Sequence, residues 1–546
     1  MSKKENNHPL GLPYLFFSEM WERFGYYLMI GIFTLYLKDA KDGLGMTEAE
    51  SADLYGTFIA FVFLTPFLGG LLADRVLGYT KSITLGGILM GLGYCGMAIP
   101  GATALYISMI FVILGNGFFK PNISTLLGNL YSEPRFKDKK DDGYNIFYMG
   151  INIGAFICNF FGAVLQNSFG WSYAFLAAGV GMFIGVIIFW IGIKHYRHAD
   201  VIKPTNPEDV SLMRIFLLIL LPAIAAGVIG WILPGNIFGS DSTDAFIFGC
   251  IPVVYFYGSL YFKASPEDKK PIGALLAIFA VVIIFWAVFK QNGSALTTWA
   301  DRYTDREVPA AIEKPITSLY LAQTIPLKLD SFPKYDEQFR VTKVDGKIVK
   351  DLSYHPYFQN LPQEKWPEEG GDVKVFNTNL FQSVNPFWVV ILTPLVVAFF
   401  TFLRRYKKEP STPAKIGWGL FVSGLSALCM VGAVYAGNNG EFKVSAIWLF
   451  ADYGVITIGE LFLSPMGLSL VSKLSPQRIT ALMMGGWFLS TSIGNKLSGI
   501  LATMWDKYDN KADFFLVNFA LLMVASLMIL AMLKWLRSIV DAKLSQ

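Results

Sequence analysis

Long apolar runs recur along the chain, separated by short polar connections. Fourteen runs of helix-spanning length have approximate cores at 13–37, 51–72, 80–100, 103–130, 143–167, 172–193, 212–233, 245–262, 273–301, 379–403, 414–436, 444–472, 478–503 and 513–536. A helix needs about 20 apolar residues to cross the hydrocarbon layer, so each run predicts a membrane span. The first run breaks the pattern. Glu19-Met-Trp-Glu22-Arg23-Phe24-Gly25-Tyr26-Tyr27 places two carboxylates, a guanidinium and two phenols inside an apolar stretch. At about 100° per residue Glu19, Glu22, Arg23 and Tyr26 fall on one side of a helix. Ionisable groups at membrane depth face a bundle interior or a water-filled cavity rather than lipid, so this face marks what the protein handles.

Composition agrees with the pattern. Of 546 residues, 53% are hydrophobic and only 16% charged, with mean hydropathy +0.45, which excludes an ordinary soluble multidomain protein. The chain reads as an all-α polytopic membrane protein. Residues 1–10 are short and polar, and the run after them is too long and too charged for a signal peptide, so it is expected to stay as the first span. Connections 74–81, 135–140, 194–214, 263–270, 404–415 and 473–478 share one side and are mostly rich in Lys and Arg, whereas 100–103, 166–170 and 234–244 carry almost none. This asymmetry predicts that both termini are cytoplasmic. Cys95, Cys158, Cys250 and Cys429 lie in apolar segments without paired spacing and read as small core residues, not as a disulfide framework or zinc site.

One connection is long. Residues 302–376 are polar and mixed in charge, lie outside the cytoplasm by the same count, and carry little topological weight. Phe339-Arg-Val-Thr-Lys-Val344 and Ile348-Val-Lys350 flank Asp345-Gly346, a two-residue hairpin signal, so a small β-containing cap is expected. The spans also echo one another. Leu64-Thr65-Pro66-Phe67-Leu68 in the second run resembles Leu392-Thr393-Pro394-Leu395-Val396 in the tenth. If runs seven and eight are an inserted pair, the echoing helices hold second place in two six-helix halves, a transporter architecture. The expected division is 1–195, a linker with the extra pair at 196–270, 271–301, the insert at 302–378, and 379–546.

Gly70-Leu-Leu-Ala-Asp74-Arg75-Val-Leu-Gly78-Tyr-Thr-Lys81 resembles the loop between helices two and three of the major facilitator superfamily. Its glycines suit close helix approach, and Asp74 and Arg75 suit gating contacts that differ between states. The same charges also serve simply as topogenic residues at a helix end. Three further segments narrow the resemblance. Glu19 to Tyr27 matches the ExxERFxYY pattern of the proton-dependent oligopeptide transporter family, Phe147-Tyr148-Met-Gly-Ile-Asn152-Ile-Gly154 its FYxxINxG signature, and Gly459-Glu460-Leu461-Phe-Leu-Ser464-Pro465 its GELxxSP segment. The resemblance covers the chain apart from the 302–376 insert. It implies a bacterial major facilitator fold of two six-helix bundles plus two extra helices. It also implies a cofactor-free monomer in the inner or plasma membrane that imports di- and tripeptides with protons.

The residues support this from their own chemistry. Glu19, Glu22, Arg23, Lys120, Lys290 and Glu460 are the most deeply placed ionisable groups, and their formal charges cancel. A lone charge at mid-bilayer costs about 3 kcal/mol on insertion scales, so these groups are expected to face inward and pair. A zwitterionic peptide needs an anion for its ammonium, a cation for its carboxylate and polar groups for its backbone. Proton coupling needs a carboxylate that burial makes neutral and a basic partner makes ionised, which suits Glu19, Glu22 and Glu460. A purely structural ion-pair role for Glu22, Arg23 and Lys120 fits the same positions. The family resemblance links Glu22, Arg23 and Lys120 to proton coupling and Glu460, with Ser464 one turn away, to the peptide ammonium. It makes Tyr26, Tyr27, Phe63, Tyr148, Asn152, Trp286, Asn385 and Trp487 the cavity lining.

The chain departs from the family pattern at three places. Ile30 stands where a second arginine is usual. Phe285-Trp286-Ala-Val-Phe-Lys290-Gln291 has a base where the FWxxxEQ pattern has an acid, and Phe63 stands where a tyrosine is usual. Lys290 is expected to hold the peptide carboxylate; pairing with Glu22 or Glu460, or a neutral amine, are its other readings. Other classes fare worse. Gly115-Asn-Gly-Phe-Phe-Lys120-Pro lacks the spacing and hydroxyl of a phosphate loop, which disfavours an ATP-driven pump. His195-Tyr-Arg-His198 has no third ligand nearby and reads as a solvated loop rather than a metal site. A peptide sensor on the same scaffold, or a carrier of nitrate, an amino-acid derivative or a peptide-like drug, remains an alternative to peptide transport.

Overall fold

The computed structural model describes residues 8–136, 140–200, 211–344, 347–476 and 479–544. Six long helices come first: α1 (Leu12–Lys38), α2 (Glu48–Leu72), α3 (Tyr79–Met97), α4 (Ala102–Leu130), α5 (Lys140–Phe169) and α6 (Trp171–Gly192). They share one core around Leu15, Phe33, Phe58, Tyr94, Phe119 and Phe175. A short α7 (Leu212–Ile215) runs through a π-helical stretch into α8 (Leu221–Ile232), which packs on α9 (Asp241–Lys263). Then follow α10 (Pro266–Phe289), α11 (Ala295–Arg302), α12 (Ala310–Ser318), α13 (Val384–Arg405), α14 (Thr412–Ala436), α15 (Ile447–Leu474), α16 (Thr480–Thr503) and α17 (Lys511–Leu544). A second core around Leu275, Val282, Leu420, Leu463, Met483 and Leu522 joins α10, α14, α15, α16 and α17. The chain is thus two helical groups with the α8–α9 pair beside them.

All fourteen apolar runs fall on helices. Ten described helical spans are long and apolar enough to cross a membrane. The charges of α1 and the glycines and hydroxyls of α3 and α16 make these three less apolar, and each is packed among the others. Local chemistry explains several details. Thr47 and Glu50 form a reciprocal capping box that starts α2. Pro66 inside α2 has no N–H for the carbonyl of Val62, and Asn116 Nδ2 on α4 donates to that oxygen at 2.7 Å. A Cβ at Gly69 would lie 2.0 Å from the Gly117 carbonyl oxygen, so only glycine lets α2 and α4 approach so closely.

The ninth apolar run, expected as one helix, is broken. α10 stops at Phe289, a 3-10 turn spans Lys290–Gly293, and α11 begins at Ala295. A Cβ at Gly293 would be 1.9 Å from the Tyr55 hydroxyl, so α2 fills the space beside the turn.

Between α11 and α13 the insert builds paired strands, as its hairpin signal predicts. β2 (Ala322–Pro326) pairs antiparallel with β7 (Asp372–Phe376), β3 (Asp330–Pro333) with β6 (Lys350–Ser353), and β4 (Lys343–Val344) with β5 (Lys347–Ile348). The turn at Asp345 and Gly346 lies outside the described residues. β1 (Thr304–Asp305) pairs in parallel with β8 (Val444–Ser445), and α12 adds a helix that the strand pattern does not foretell. Ile325, Tyr357, Phe358 and Val375 give the insert its own small core. Asn167 Nδ2 at the end of α5 donates to the carbonyls of Tyr320 and Ala322, fixing the insert to the first helical group. Gly11 abuts Leu130 and Tyr196, so the chain enters at the end opposite the insert. α17 begins at the insert end, where Asp509 bonds Arg340 at 2.5 Å, and runs away from it.

Candidate functional site

The charged face of α1 is buried. Glu22 is 0% exposed and accepts a two-pronged contact from Arg23, with Nη2 to Oε1 at 2.8 Å and Nε to Oε2. Glu19, one turn earlier, has Oε1 3.3 Å from Arg23 Nε. A fork of this kind is rigid, which is what holds two carboxylates and a guanidinium together at depth. Arg23 also lies over the Tyr26 ring at 5.2 Å. The Glu19 Oε2 and Tyr26 hydroxyl atoms are buried without a hydrogen-bond partner.

The two lysines behave differently from the expected ion pairs. Lys120 on α4 places Nζ 4.1 Å from the centroid of Phe63, and Lys290 places its own Nζ 5.2 Å from the same ring. Trp286 and Phe289 complete the surround of Lys290, at 5.7 and 5.6 Å. Among the described residues no carboxylate lies within salt-bridge distance of either ammonium, although Glu22 and Glu19 are in electrostatic range of Lys120 and Glu460 of Lys290. Pairing of Lys290 with Glu22 or Glu460 is therefore replaced by cation–π contact, worth about 2 kcal/mol or more where water is excluded. The helix break sets this up, because it makes Lys290 the C-cap of α10, where the helix dipole favours a cation.

On the other side, Asn385 near the start of α13 donates from Nδ2 to Glu460 Oε2 at 3.3 Å and to Thr457 Oγ1 at 2.9 Å. Glu460 thus presents a carboxylate with a neutral donor and no ion-paired cation among the described residues. Ser464 Oγ and Trp286 Nε1 are buried without partners. Tyr27 and Tyr148 are in electrostatic range of Glu460, which links the first group to α15. Asn152 is buried and donates to the Tyr148 carbonyl at 2.9 Å, while the Tyr148 ring is exposed. Trp487 is 3% exposed, packed against Gly467 and, at 6.3 Å, Phe279. It sits in the second core more than on a cavity wall. Ile30 is also buried in apolar surroundings. The backbone at Asp74 and Arg75 lies in a π-helical segment, Ala73–Leu77, and their side chains lie outside the described residues.

The sequence reading missed a set of contacts between the halves at the insert end. Lys496 on α16 is 1% exposed, and its Nζ lies 2.5 Å from Asp53 Oδ1 on α2. Ser242 and Thr243 on α9 donate to the same carboxylate at 2.6 and 3.0 Å. Gly56 and Gly499 touch beside it, and Ser492 donates to the Ala60 carbonyl at 2.7 Å. Lys38 on α1 bonds Glu48 and Thr298, at 3.2 and 2.9 Å, and Asn159 Nδ2 reaches Ser383 at 3.0 Å. The signal was an acid and a base inside apolar runs, near their ends. Among the described residues no group of three or more His, Cys, Asp or Glu could hold a metal ion. His195 stacks on Tyr14 at 5.3 Å and His198 bonds Glu133 at 2.7 Å.

Comparison with known proteins completes the picture. The model of the POT family matches residues 80–319 and 373–518. A di-/tripeptide transporter of Lactococcus lactis subsp. lactis (strain IL1403) is 29% identical over 93% of this chain and 92% of its own length. Dipeptide and tripeptide permease A of Escherichia coli (strain K12) is 30% identical over 92% of this chain and 85% of its own. A crystal structure of a peptide transporter POT in complex with sulfate superposes with a TM-score of 0.75 at 27% identity, covering 98% of this chain and 97% of that one. The two helical groups are the halves of a major facilitator fold, and the chain is a member of the POT family of membrane transporters.

Proposed function

We propose that the protein is a proton-coupled symporter that imports di- and tripeptides by alternating access. The observation that carries this is the separation of two deep charge sets, Glu460 and Lys290 in the second half and Glu19, Glu22, Arg23 and Lys120 in the first. Glu460 offers an anion bonded only to an amide, for a peptide ammonium. Lys290 offers an ammonium resting on an aromatic ring rather than on a carboxylate, for a peptide carboxylate. Glu22, Glu19 and Arg23 form a separate buried cluster, with Lys120 in electrostatic range, suited to holding and releasing a proton. Tyr26, Tyr27, Tyr148, Asn152 and Asn385 supply the phenols and amides that bind a peptide backbone, and Phe63 and Trp286 supply apolar walls. The relatives that are di- and tripeptide transporters support the substrate class.

The halves meet through buried contacts at the insert end, which supports a closed gate there. Asp74 and Arg75 would act at the opposite end. The reading places the protein as a monomer in a bacterial inner or plasma membrane with both termini cytoplasmic, driven by the proton gradient without a cofactor or enzymatic step.

Reconstituted protein under an inside-alkaline pH gradient should accumulate a labelled dipeptide, and no gradient-dependent accumulation would refute symport. Glu22→Gln should keep counterflow and lose accumulation. A peptide sensor would bind without counterflow.

A further inference from the structure

The insert encloses a charged cavity that the transport reading does not use. Its volume is about 370 Å³, the size of a small peptide, and it lies where the insert meets α1, α5 and α11. Arg302 and Arg306 form part of its wall, together with Lys38, Gln166 and Asn377. The same lining carries Asp39, Asp42, Asp301 and Asp330, with Lys41 and Lys328 among them and Lys41 3.7 Å from Asp330.

The arginines are held in place rather than solvated. Asp301 bridges them, 3.2 Å from Arg302 Nε and 3.2 Å from Arg306 Nη2. Arg306 is 2% exposed, its Nη1 donates to the Phe376 carbonyl at 2.7 Å, and its Nε is buried without a partner. Arg302 lies over Tyr335 at 4.9 Å. A third basic group, Lys443, sits against the same cluster, donating to the Arg302 carbonyl at 2.7 Å and lying over Tyr357 at 4.4 Å. Burial, with Arg306 beside it, pushes the Lys443 ammonium well below its usual range. The neighbouring Asp305 is already held by Lys365 at 2.8 Å. Two guanidiniums therefore share one carboxylate, Asp301, in a place where unbalanced buried charge is costly. A carboxylate is the group that a guanidinium with a spare N–H recognises best.

From the two guanidiniums on one carboxylate, the unpartnered Arg306 Nε and the aspartates in the same lining, we infer that the insert cavity is a second binding site. It takes the carboxylate of a small zwitterionic peptide on Arg306 and Arg302 and holds the ammonium toward Asp39, Asp42 and Asp330. The inference rests on the transport reading for the peptide, but the site is separate from Glu460 and Lys290. Because Lys38 and Arg302 also belong to the helices that close the insert end, a peptide here waits directly above the gate.

The test is calorimetric titration of the full chain in nanodiscs with alanylalanine, alanylalanine amide and inorganic phosphate. In a Lys290→Gln, Glu460→Gln background, alanylalanine should still bind at one site, and the amide at least tenfold more weakly. Adding Arg306→Gln should weaken that remaining site at least tenfold. Gln323→Trp, which fills the cavity from β2 without touching the arginines, should do the same and covers the case in which Arg306→Gln fails to fold. Loss of all binding in the background variant overturns the inference and leaves the transport reading intact. Binding that survives both further substitutions also overturns it. Phosphate binding without peptide binding at the Arg306 site overturns the peptide assignment. Absence of gradient-driven uptake with the insert site still titrating would overturn transport alone.

Discussion

Replacing Lys496 with Met removes the cation from the seam between α2 and α16. In the closed arrangement Lys496 Nζ is 2.5 Å from Asp53 Oδ1, and the lysine is 1% exposed. Breaking a buried ion pair by removing one member costs about 3–5 kcal/mol, because the other charge stays buried. Here the low end applies. Ser242 and Thr243 still donate to Asp53 at 2.6 and 3.0 Å, and its side chain is 21% exposed. The cost falls on the closed state alone, since the two helices belong to opposite halves and Asp53 regains water when they part. About 3 kcal/mol is roughly a 150-fold shift in the closed-to-open ratio.

Electron–electron resonance distances in nanodiscs read this directly. Spin labels at Lys41→Cys and Lys507→Cys, in a background with the native cysteines changed to serine, report the separation of the halves at the insert end. Lys496→Met should move the main population to the longer distance. Asp53→Asn combined with Lys496→Met should return most of it, because no charge is then left buried. An unchanged distribution in the single variant refutes the latch. A double variant as open as the single would assign the effect to packing rather than to charge.

Lys290→Gln should raise the KM for alanylalanine about tenfold, the loss of one charge-assisted contact worth about 1.4 kcal/mol, while KM for alanylalanine amide moves little. Equal effects on both substrates would exclude carboxylate binding by Lys290. Gly293→Ala should lower the unfolding temperature and transport together, because the added Cβ meets the Tyr55 hydroxyl at 1.9 Å, and Tyr55→Phe should partly relieve it. His355 in the insert is pushed down to about 4, by burial and then by Arg302, Arg306 and Lys443, from an ordinary value near 6.5. Its native form is neutral, so the stability it contributes is full above about 6.5 and is lost as pH falls toward about 4. Hydrogen exchange of the insert should rise over that window, and His355→Gln should flatten the rise.

The spans were legible in the sequence because the signal is local: an apolar run of the right length is a helix whatever surrounds it. The insert hairpin was legible for the same reason, since Asp345-Gly346 and its flanks are contiguous. The break at Lys290 was passed over because apolar residues resume at Ala295, after the short polar stretch from Lys290 to Ser294. The Asp53–Lys496 latch was not legible, its partners being 443 residues apart. The six deep charges were found, and their sum correctly excluded lipid exposure, but formal charge alone predicted pairing for all of them. Aromatic rings carry no formal charge, so Phe63 entered the reading only as a missing hydroxyl. The cationic cluster of the insert escaped for a related reason: Arg302 and Arg306 sit in a polar loop, where a charged residue gives no sign that it is buried.

That substitution of a ring for a carboxylate bears on turnover. Had Lys290 rested in a buried ion pair, a peptide carboxylate would have had to displace a partner worth about 3–5 kcal/mol, or bind beside it with its charge already neutralised. A desolvated cation–π contact is worth about 2 kcal/mol, and a hydrogen bond to a charged group about 1.5–3 kcal/mol. Exchange of one for the other is close to balanced. The ammonium is kept at membrane depth without a resident anion, yet the incoming carboxylate gains only a small surplus, so its release into the cell faces no deep well. Phe63 can play this part because its ring serves Lys120 and Lys290 together, at 4.1 and 5.2 Å, one from each half of the fold. A carboxylate drawing Lys290 off the ring leaves it to Lys120, whose remaining neighbours are Arg23, Glu22 and Glu19. On the proposed function, peptide arrival at one half would be felt at the buried carboxylates of the other, through a side chain with no charge of its own.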